Sequence, residues 1–511
     1  MRSALKSSLS LLTFLGCYPR GCDLRILSID LGTTNLKTSV LEISDDIGQI
    51  KVLDSAINRL TFHVPEHGAY EHNPQEIMRL ITQHVRHLIH NFKVDAIVLT
   101  TYLFATVIVD REFRPRSNII TWLDERSLKF VKLVEEHGPE LYRRTGCPPT
   151  HIYTLPKLLW LKRKLPETLA SALILDGKSL LTSWMLGYPI TDLSTASGTY
   201  QMLNIRDLKW DPLALEIVGV DEKSLPQLAE AYYTDVLKES VAVNMGLEPG
   251  TPVILGLYDG GSMIFGLSGG SKNVAVMNIG TSAMLRTVIN SPVVDFSPLM
   301  RFQTYYLLDH LWLSGGAVNN AGVVVEFVAK LVNTDVSEFP KILSETPPKP
   351  WETPLVIPLL YPERLPFLRG GGMHVLSMRP DTTPRALIWG TVEGVLMLLK
   401  LLDDSLRENG ILYDEIRIGG GLAKYKGIRE TTSLIFGKRV GYVSGVEASH
   451  IGNALLAVMA TEGSKALNGL VKNLSTALEY VGISEALASE YELKYSKFKH
   501  LVFHDLPPPS P

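Results

Sequence analysis

A short stretch near the start of the chain combines a strand end with glycine and hydroxyl side chains. Asp30 ends an apolar strand, Gly32, Thr33 and Thr34 follow it, and Lys37 lies on the next strand. Glycine exposes backbone N–H groups, and threonine adds hydroxyl donors. A carboxylate at this place is suited to hydrated Mg²⁺. The stretch therefore predicts a cradle for nucleotide phosphates with Asp30 as its metal residue, although an ordinary hairpin turn uses the same residue types.

A second stretch repeats this pattern in the other half of the chain. Asn278 stands in the place of Asp30, Arg286 stands near the place of Lys37, and the turn between them reads Gly280, Thr281 and Ser282. A repeated strand, turn and strand predicts that the two halves share one architecture. Two phosphate hairpins could then face each other across an interdomain cleft. Chance similarity of two hairpins is the alternative.

One carboxylate lies just before the second stretch, at a place suited to chemistry. Asp259 follows a buried strand and precedes Gly260 and a second glycine. Loop positions of this kind often carry catalytic groups, and a carboxylate there could act as a general base. The alternative is a cap for a helix that begins near Ser262.

Two further glycine-rich segments would let the backbone closely approach a ligand or, for the first of them, another helix. Ser314 to Gly322 contains Gly316 and precedes a predicted helix, and Gly419 to Lys424 reads G-G-G-L-A-K. Bare backbone after a strand would allow a flat ring such as adenine to lie against it. The alternative is a tight turn between strand and helix.

Composition limits the class of protein. The chain has 511 residues, 45% hydrophobic and 20% charged, and a formal net charge of -3. This length predicts two or more domains, and this charge gives no reason to expect a nucleic acid or membrane partner. Cys17, Cys22 and Cys147 form no metal or disulfide pattern, which favours a reducing, cytoplasmic location. The apolar run Leu9 to Cys17 is too short to span a bilayer.

Hydrophobic periodicity predicts an α/β protein. After the opening hairpin we predict helices over residues 74–92, 155–165, 323–332 and 386–402, strands over 96–100, 105–110 and 415–418, and a polar loop over 191–198. We expect domains at 24–265 and 266–500. Residues 1–23 are expected to be an extension outside the fold and residues 501–511 a tail.

Taken together, these segments resemble the FGGY carbohydrate kinases of the actin, hexokinase and heat-shock ATPase superfamily. The phosphate hairpins and G-G-G-L-A-K lie in the family's order. Further matching segments are Y-E-H-N-P-Q-E at 70–76, W-L-D-E-R at 122–126, P-K-L-L-W-L at 156–161, T-D-L-S-T-A-S at 191–197 and G-G-A-V-N-N at 315–320. The resemblance implies two ribonuclease-H-like (actin-like ATPase) domains, each a mixed five-stranded sheet flanked by helices, with an interdomain cleft.

The resemblance also implies a reaction. The γ-phosphoryl group of MgATP would be transferred to a hydroxyl of a sugar, ketose, polyol or sugar acid, and a pentulose such as xylulose or ribulose is the best single expectation. Asp259 would be the catalytic base. The expected nucleotide-binding residues are Asp30, Gly32, Thr33, Thr34, Lys37, Gly280, Thr281, Ser282, Gly316, Gly420, Gly421 and Ala423. The expected acceptor-side residues are Tyr102, Phe104, Trp122, Asp124, Asp259 and Gly260. A homodimer is left open as the assembly.

The chain departs from the family on the acceptor side. Xylulose kinases and glycerol kinases carry polar signatures where this chain has the apolar segment Tyr102 to Ala105, and Gly260 replaces a frequent Gln or Asn. Asp124 and Arg126 could equally form a structural ion pair. The alternative function is a regulatory nucleotide-binding protein of the same superfamily that phosphorylates no sugar. The intact Asp259 argues against it.

Overall fold

The structure is a computed structural model that describes residues 23–44, 50–170, 172–335, 337–363 and 372–505. The predicted N-terminal extension, apart from Asp23, and residues 506–511 of the predicted tail lie outside these ranges. Within these ranges, no helix has the length and apolar character needed to cross a bilayer.

The chain forms two compact units. The first contains the residues up to Gly269 together with Tyr305–Leu311 and Val446–Thr476. The second contains Gly270–Thr304, Trp312–Gly445 and the residues from Ala477 on. The first unit therefore takes in a segment from near the end of the chain.

The first unit is built on a mixed six-stranded sheet. Its strand order is Thr234–Val236, Pro252–Ile254, Ala96–Thr101, Leu24–Leu31, Asn35–Ile43 and Ile50–Arg59. Leu24–Leu31 runs antiparallel to Asn35–Ile43 and parallel to Ala96–Thr101. We call the strands Leu24–Leu31 and Asn35–Ile43, with their turn, the first hairpin.

The second sheet repeats this arrangement with seven strands. Their order is Gln303–Leu308, Leu311–Val318, Ala283–Ile289, Val274–Ile279, Glu415–Gly419, Arg439–Tyr442 and Glu479–Val481. Val274–Ile279 and Ala283–Ile289 form an antiparallel pair, called here the second hairpin, and the former pairs in parallel with Glu415–Gly419. The repeat predicted from sequence is confirmed. Five strands per sheet was too few, because short edge strands such as Thr234–Val236 and Glu479–Val481 extend each sheet.

The helices of the first unit include the predicted ones at nearly the predicted bounds. They are Pro74–Ile89, Val131–Glu135, Gly138–Thr145, Thr154–Lys164, Pro166–Ala170, Gly177–Met185, Leu193–Thr199, Pro212–Val218, Glu239–Met245, Asp259–Ser268, Ala448–Glu462 and Leu467–Thr476. The polar loop predicted over 191–198 was wrong. Asp192 accepts a hydrogen bond from the backbone N–H of Thr195 at 2.8 Å, and this cap starts a helix in a sequence of small polar residues.

The helices of the second unit pack around a long central helix. They are Gly322–Leu331, Phe339–Ser344, Pro384–Glu408, Lys426–Phe436 and Glu485–His500, and Leu501–Asp505 adds a further helical turn at the end of the described chain. Pro384–Glu408 is buried along most of its length, with Trp389 fully inside the core.

The remaining short strands pair outside the two large sheets. They are Glu71–His72 with Ile119–Ile120, Val107–Val109 with Leu173–Leu175, Ile190–Asp192 with Gln227–Ala229, Leu203–Asn204 with Lys209–Trp210, and Leu355–Leu359 with Gly372–Leu376.

Candidate active site

The first hairpin presents its turn as an open polar loop. The N–H of Gly32 donates to the carbonyl of Asn35 at 3.0 Å and closes the turn. Thr34 is exposed and Thr33 is half-buried, so both hydroxyls are available at the end of the sheet. Backbone and hydroxyl donors grouped in a turn of this kind are able to bind an anion.

Asp30 lies in this hairpin directly opposite Lys37 in the strand register. Its Oδ1 atom is buried and has no hydrogen-bond partner among the described residues. Burial and the negative charges of Asp259 and Glu447, opposed by the positive charge of Lys37, together raise the pKa of Asp30 to about 7. An unpartnered carboxylate oxygen in a negatively charged environment fits hydrated Mg²⁺.

A metal ion at this site would be held by a single protein carboxylate, that of Asp30. Among the described residues, no three His, Cys, Asp or Glu side chains are grouped closely enough to hold a metal ion by themselves. Mg²⁺ commonly keeps several waters and is bound through one or two carboxylates and substrate phosphates. The arrangement at Asp30 is of this type.

Lys37 has a partner that the sequence did not reveal. Its Nζ atom forms an ion pair with Glu447, which directly precedes the helix Ala448–Glu462. We call Ala448–Glu462 the return helix. Lys37 and Glu447 are 410 positions apart in the chain, so no local pattern could have joined them.

Asp259 is the first residue of the helix Asp259–Ser268, called here the base helix. Tyr258 is the N-cap residue, so the helix begins three residues earlier than the alternative prediction placed it. Asp259 is half-buried, and its Oδ1 accepts a hydrogen bond from the N–H of Gly260 at 2.7 Å. The positive end of the helix dipole stabilises a carboxylate at this position.

The base helix packs directly on the return helix. A methyl group on Gly452 would lie 1.9 Å from the carbonyl oxygen of Ser262, and one on Gly266 would lie 2.2 Å from that of Ala448. Asn453 accepts hydrogen bonds at Oδ1 from Thr100 at 2.9 Å and Ser262 at 2.7 Å. The small residues of the return helix therefore serve a close helix–helix contact.

The apolar segment expected on the acceptor side begins with a buried hydrogen bond. Tyr102 is 2% exposed, and its hydroxyl lies 3.0 Å from Nδ1 of His72, whose ring stacks on Phe62. Burial lowers the pKa of His72 to about 4, so the imidazole is neutral at physiological pH. His72 lies in the segment Y-E-H-N-P-Q-E, where its role was not predicted from the sequence.

Phe104 adopts a backbone conformation that is unusual for a non-glycine residue, with φ of 67°. Its N–H donates to the hydroxyl of Thr199 at 3.2 Å, and its carbonyl accepts from the buried ammonium of Lys157 at 2.6 Å. Its ring meets Tyr153 edge-on at 5.4 Å. These contacts fix an aromatic side chain at the position where the family resemblance predicts acceptor contacts.

Trp122, Asp124 and Arg126 divide into two groups. The indole N–H of Trp122 donates to the Thr33 hydroxyl at 3.0 Å, which ties this residue to the first hairpin. Asp124 is 1% exposed and forms an ion pair with Arg126 at 2.7 Å, and it also accepts from the N–H of Tyr70 at 3.1 Å. The geometry agrees with the structural ion pair that the sequence left open.

In the second unit, two glycines bring three segments close together, and a third glycine has no neighbouring atom on its open side. A methyl group on Gly322 would lie 2.3 Å from the carbonyl oxygen of Gly280. Gly420 has φ of 95°, and a methyl group there would lie 2.3 Å from Oδ1 of Asn278. Gly421 is exposed, and an added methyl group would find no atom within 4 Å. The turn of the second hairpin therefore lies beside an open, bare-backbone surface.

The remaining predicted nucleotide residues support this surface or lie beside it. Gly316 is buried and pairs with Leu285, and Ala423 is fully buried. Thr281 is exposed at the turn and Ser282 is half-buried. Arg286 does not mirror Lys37: it pairs with Val276, whereas the residue opposite Asn278 is Met284. The second turn is shorter than the first, which displaces Arg286 along the strand.

Comparison with known proteins covers nearly the whole chain. The family model for the FGGY family of carbohydrate kinases, N-terminal domain, matches residues 25–266. The model for the C-terminal domain of the same family matches residues 275–461.

Individual relatives are distant but similar along their whole length. The chain is 26% identical to a gluconokinase of Bacillus subtilis (strain 168), over 91% of this chain and 93% of the relative. Among solved structures, gluconate kinase from Lactobacillus acidophilus has a TM-score of 0.85 at 22% identity, covering 94% of this chain and 98% of its own. A ligand-bound xylulose kinase from Lactobacillus acidophilus has a TM-score of 0.84 at 22% identity, and the match covers 93% of this chain and 97% of the xylulose kinase. These two structures establish the fold.

Proposed function

Because the chain belongs to the FGGY family of carbohydrate kinases, we propose that it transfers the γ-phosphoryl group of ATP to a hydroxyl of a sugar acid or a pentulose. Among sugar acids, gluconate is supported by the similarity to a gluconokinase. The pentulose expected from sequence, xylulose or ribulose, is the second candidate. ATP is supplied in the cytoplasm, where we place the protein.

The observation that carries the proposal is the placement of Asp259. It begins the base helix and is close enough to Asp30 for its charge to raise the pKa of Asp30. In this proposal the acceptor hydroxyl gives its proton to the Asp259 carboxylate as its oxygen bonds to the γ-phosphorus, and the bond to the ADP oxygen breaks. Phosphoryl transfer needs mainly positioning, charge neutralisation and one such base.

The other proposed residues position the substrates and neutralise the charge of the phosphates. Thr33 and Thr34 of the first hairpin, and Gly280 and Thr281 of the second, would donate to the β- and γ-phosphates, while Lys37 would compensate their charge. Asp30 would hold Mg²⁺ through water, and this ion supplies positive charge to the phosphate oxygens. Gly420 and Gly421 would lie along the adenine ring, and Trp122, Phe104 and Tyr102 on the acceptor side.

A panel of acceptors tests the proposal. ADP release is measured with MgATP and, in turn, D-gluconate, other aldonates, D-xylulose, D-ribulose, glycerol and longer alditols, with a sample lacking acceptor as the control. We expect acceptor-dependent ADP release with gluconate or a pentulose, at about 1–100 s⁻¹, as is typical of kinases. Release that no member of the panel increases would contradict the proposal and favour the regulatory alternative.

A further inference from the structure

A fully buried lysine lies beneath the backbone that leads to Asp259. Lys178 belongs to the helix Gly177–Met185 and is 0% exposed. Its Nζ atom donates to the carbonyls of three consecutive residues, Leu255 at 2.7 Å, Gly256 at 2.8 Å and Leu257 at 3.1 Å. A buried ammonium requires such partners, because burial without them is costly.

The convergence of three consecutive carbonyls requires a special backbone. In a strand, the backbone groups of successive residues alternate in direction, so these three carbonyls could not otherwise meet at one atom. Gly256 breaks the alternation with φ of 70°, and a methyl group there would lie 1.8 Å from the carbonyl oxygen of Leu99. That carbonyl also accepts from Lys178, at 3.3 Å. Asp259 is the third residue after Gly256.

One buried carboxylate lies beside the ammonium, and another accepts from the backbone of the same lysine. Asp192 is fully buried and lies 3.1 Å from Nζ of Lys178 through Oδ2, while its Oδ1 caps the next helix. The backbone N–H of Lys178 donates to the cap residue Asp176 at 2.6 Å. Burial lowers the pKa of Lys178, and the charges of Asp192, Asp176 and Asp259 oppose that effect.

We propose that Lys178 is a positioning residue for the catalytic base: its ammonium fixes the turn at Leu255–Leu257 and thereby the start of the base helix. This inference rests on the proposed role of Asp259. Lys178 touches neither acceptor nor nucleotide in this scheme. Its removal lowers the rate of phosphoryl transfer while the binding of nucleotide and acceptor is kept.

The test compares Lys178→Met with Lys400→Met. Lys400 is a matched control because it is also buried and donates to a backbone carbonyl, that of Ile435 at 2.6 Å, but lies in the second unit. For Lys178→Met we expect kcat to fall about 100-fold, as a misplaced catalytic group can cause, with KM for the acceptor and Kd for ADP changed less than about threefold. Lys400→Met keeps the kcat of the parent protein.

A second measurement does not depend on turnover. Hydrogen exchange of the backbone amides of residues 255–260 should be faster in Lys178→Met than in the parent and in Lys400→Met, because the carbonyls have lost their common donor. Asp192→Asn keeps a cap oxygen for Thr195 but removes the charge next to the ammonium. In Asp192→Asn, kcat should likewise fall while KM for the acceptor and Kd for ADP stay nearly unchanged. If Lys178→Met does not fold, Asp192→Asn tests the proposal in its place.

The outcomes separate this inference from the proposed function. If Asp259→Asn loses phosphoryl transfer while Lys178→Met keeps kcat and amide protection, Lys178 does not position the base. Equal loss of kcat in Lys178→Met and Lys400→Met would also overturn the inference, since both effects would then be losses of stability. Full turnover in Asp259→Asn would instead overturn the role of Asp259 itself.

Discussion

The side chain of Asn453 donates to the hydroxyl of Ser28 at 2.8 Å, although 425 positions separate the two residues in the chain. Asn453 also accepts from Thr100 and Ser262. One amide thus connects the return helix to two central strands of the first sheet and to the base helix. The position of Asp259 therefore depends on a residue near the end of the chain.

Replacing Asn453 with alanine should lower the free energy of unfolding by about 2–4 kcal/mol, because the buried hydroxyls of Ser28, Thr100 and Ser262 each lose a hydrogen bond. Urea denaturation followed by circular dichroism measures this change. Asn91→Ala, on the exposed surface after helix Pro74–Ile89, is the control and should stay within about 0.5 kcal/mol. Equal stability of the two variants would show that the Asn453 hydrogen bonds contribute nothing net.

Gly452→Ala should disrupt the contact between the base helix and the return helix. The added methyl group would lie 1.9 Å from the carbonyl oxygen of Ser262, so we expect a loss of about 2 kcal/mol or more and a lower kcat, since the base helix must move. Gly469→Ala is the matched control, because a methyl group there meets no atom within 4 Å. It should be neutral or stabilising by about 0.5–1 kcal/mol. A harmless Gly452→Ala would contradict the close packing.

Asp259→Asn should abolish phosphoryl transfer but not nucleotide binding. The amide keeps the shape of the side chain but accepts no proton, so kcat should fall by about 10²–10⁴. Calorimetry should give a Kd for ADP within about threefold of the parent value. Asp207→Asn, an exposed carboxylate of the same unit, serves as the control and should keep full turnover. Unchanged turnover in Asp259→Asn would remove this residue from the mechanism.

Stability should depend on pH through Asp30. The pKa of Asp30 is 3.8 when unperturbed and about 7 in the folded protein. Between these values the folded state binds a proton that the unfolded state lacks, so stability falls as pH rises towards about 7. Asp30→Asn removes this effect. Its free energy of unfolding relative to the parent should therefore increase from pH 5 to pH 8 by about 1–2 kcal/mol after screening by solvent.

This measurement is made with EDTA and without nucleotide, so that no metal ion shifts the titration. Asp295→Asn is the control, because hydrogen bonds from Arg301 lower the pKa of Asp295 despite its burial. That group is ionised throughout the window in both states, so its effect on stability should not vary between pH 5 and pH 8. An Asp30→Asn difference that is equally constant would contradict the raised pKa.

Gly421→Ala tests the proposed adenine surface. A methyl group there meets no protein atom, so stability should change by less than about 0.5 kcal/mol. If the ring lies on this backbone, Kd for ADP should rise about tenfold, equivalent to 1.4 kcal/mol. Gly420→Ala should instead lower stability, since its φ is 95° and Asn278 leaves no room. Unaltered ADP binding in Gly421→Ala would place the ring elsewhere.

The elements that depend on local residue patterns were predicted from the sequence. Alternating apolar residues and the turn at Gly32 predicted the first hairpin, and the same pattern at Gly280 predicted the second. The helix at Pro74 was predicted from apolar spacing, and Asn73 caps it through hydrogen bonds from Gln75 and Glu76. Such elements depend on neighbours a few residues away, which the sequence displays directly.

Partners distant in the chain could not be predicted in this way. No local pattern indicates the ion pair between Lys37 and Glu447. The same is true of the hydrogen bonds from Lys178 to the carbonyls of Leu255–Leu257. The helix Leu193–Thr199 was missed because its residues have modest helix propensity, and tertiary packing together with the Asp192 cap decided its structure. The residues proposed to contact the acceptor include Phe104, whose positive φ no sequence pattern indicated.

The order of protein synthesis gives the return helix a further consequence. Because Val446–Thr476 belongs to the first unit, the ribosome must translate the segment Trp312–Gly445 of the second unit before every part of the first unit exists. Folding of the first unit can therefore be completed only after most of the second unit has been made. A message truncated before Val446 would encode both Asp30 and Asp259, yet its product would lack the helix on which the base helix packs.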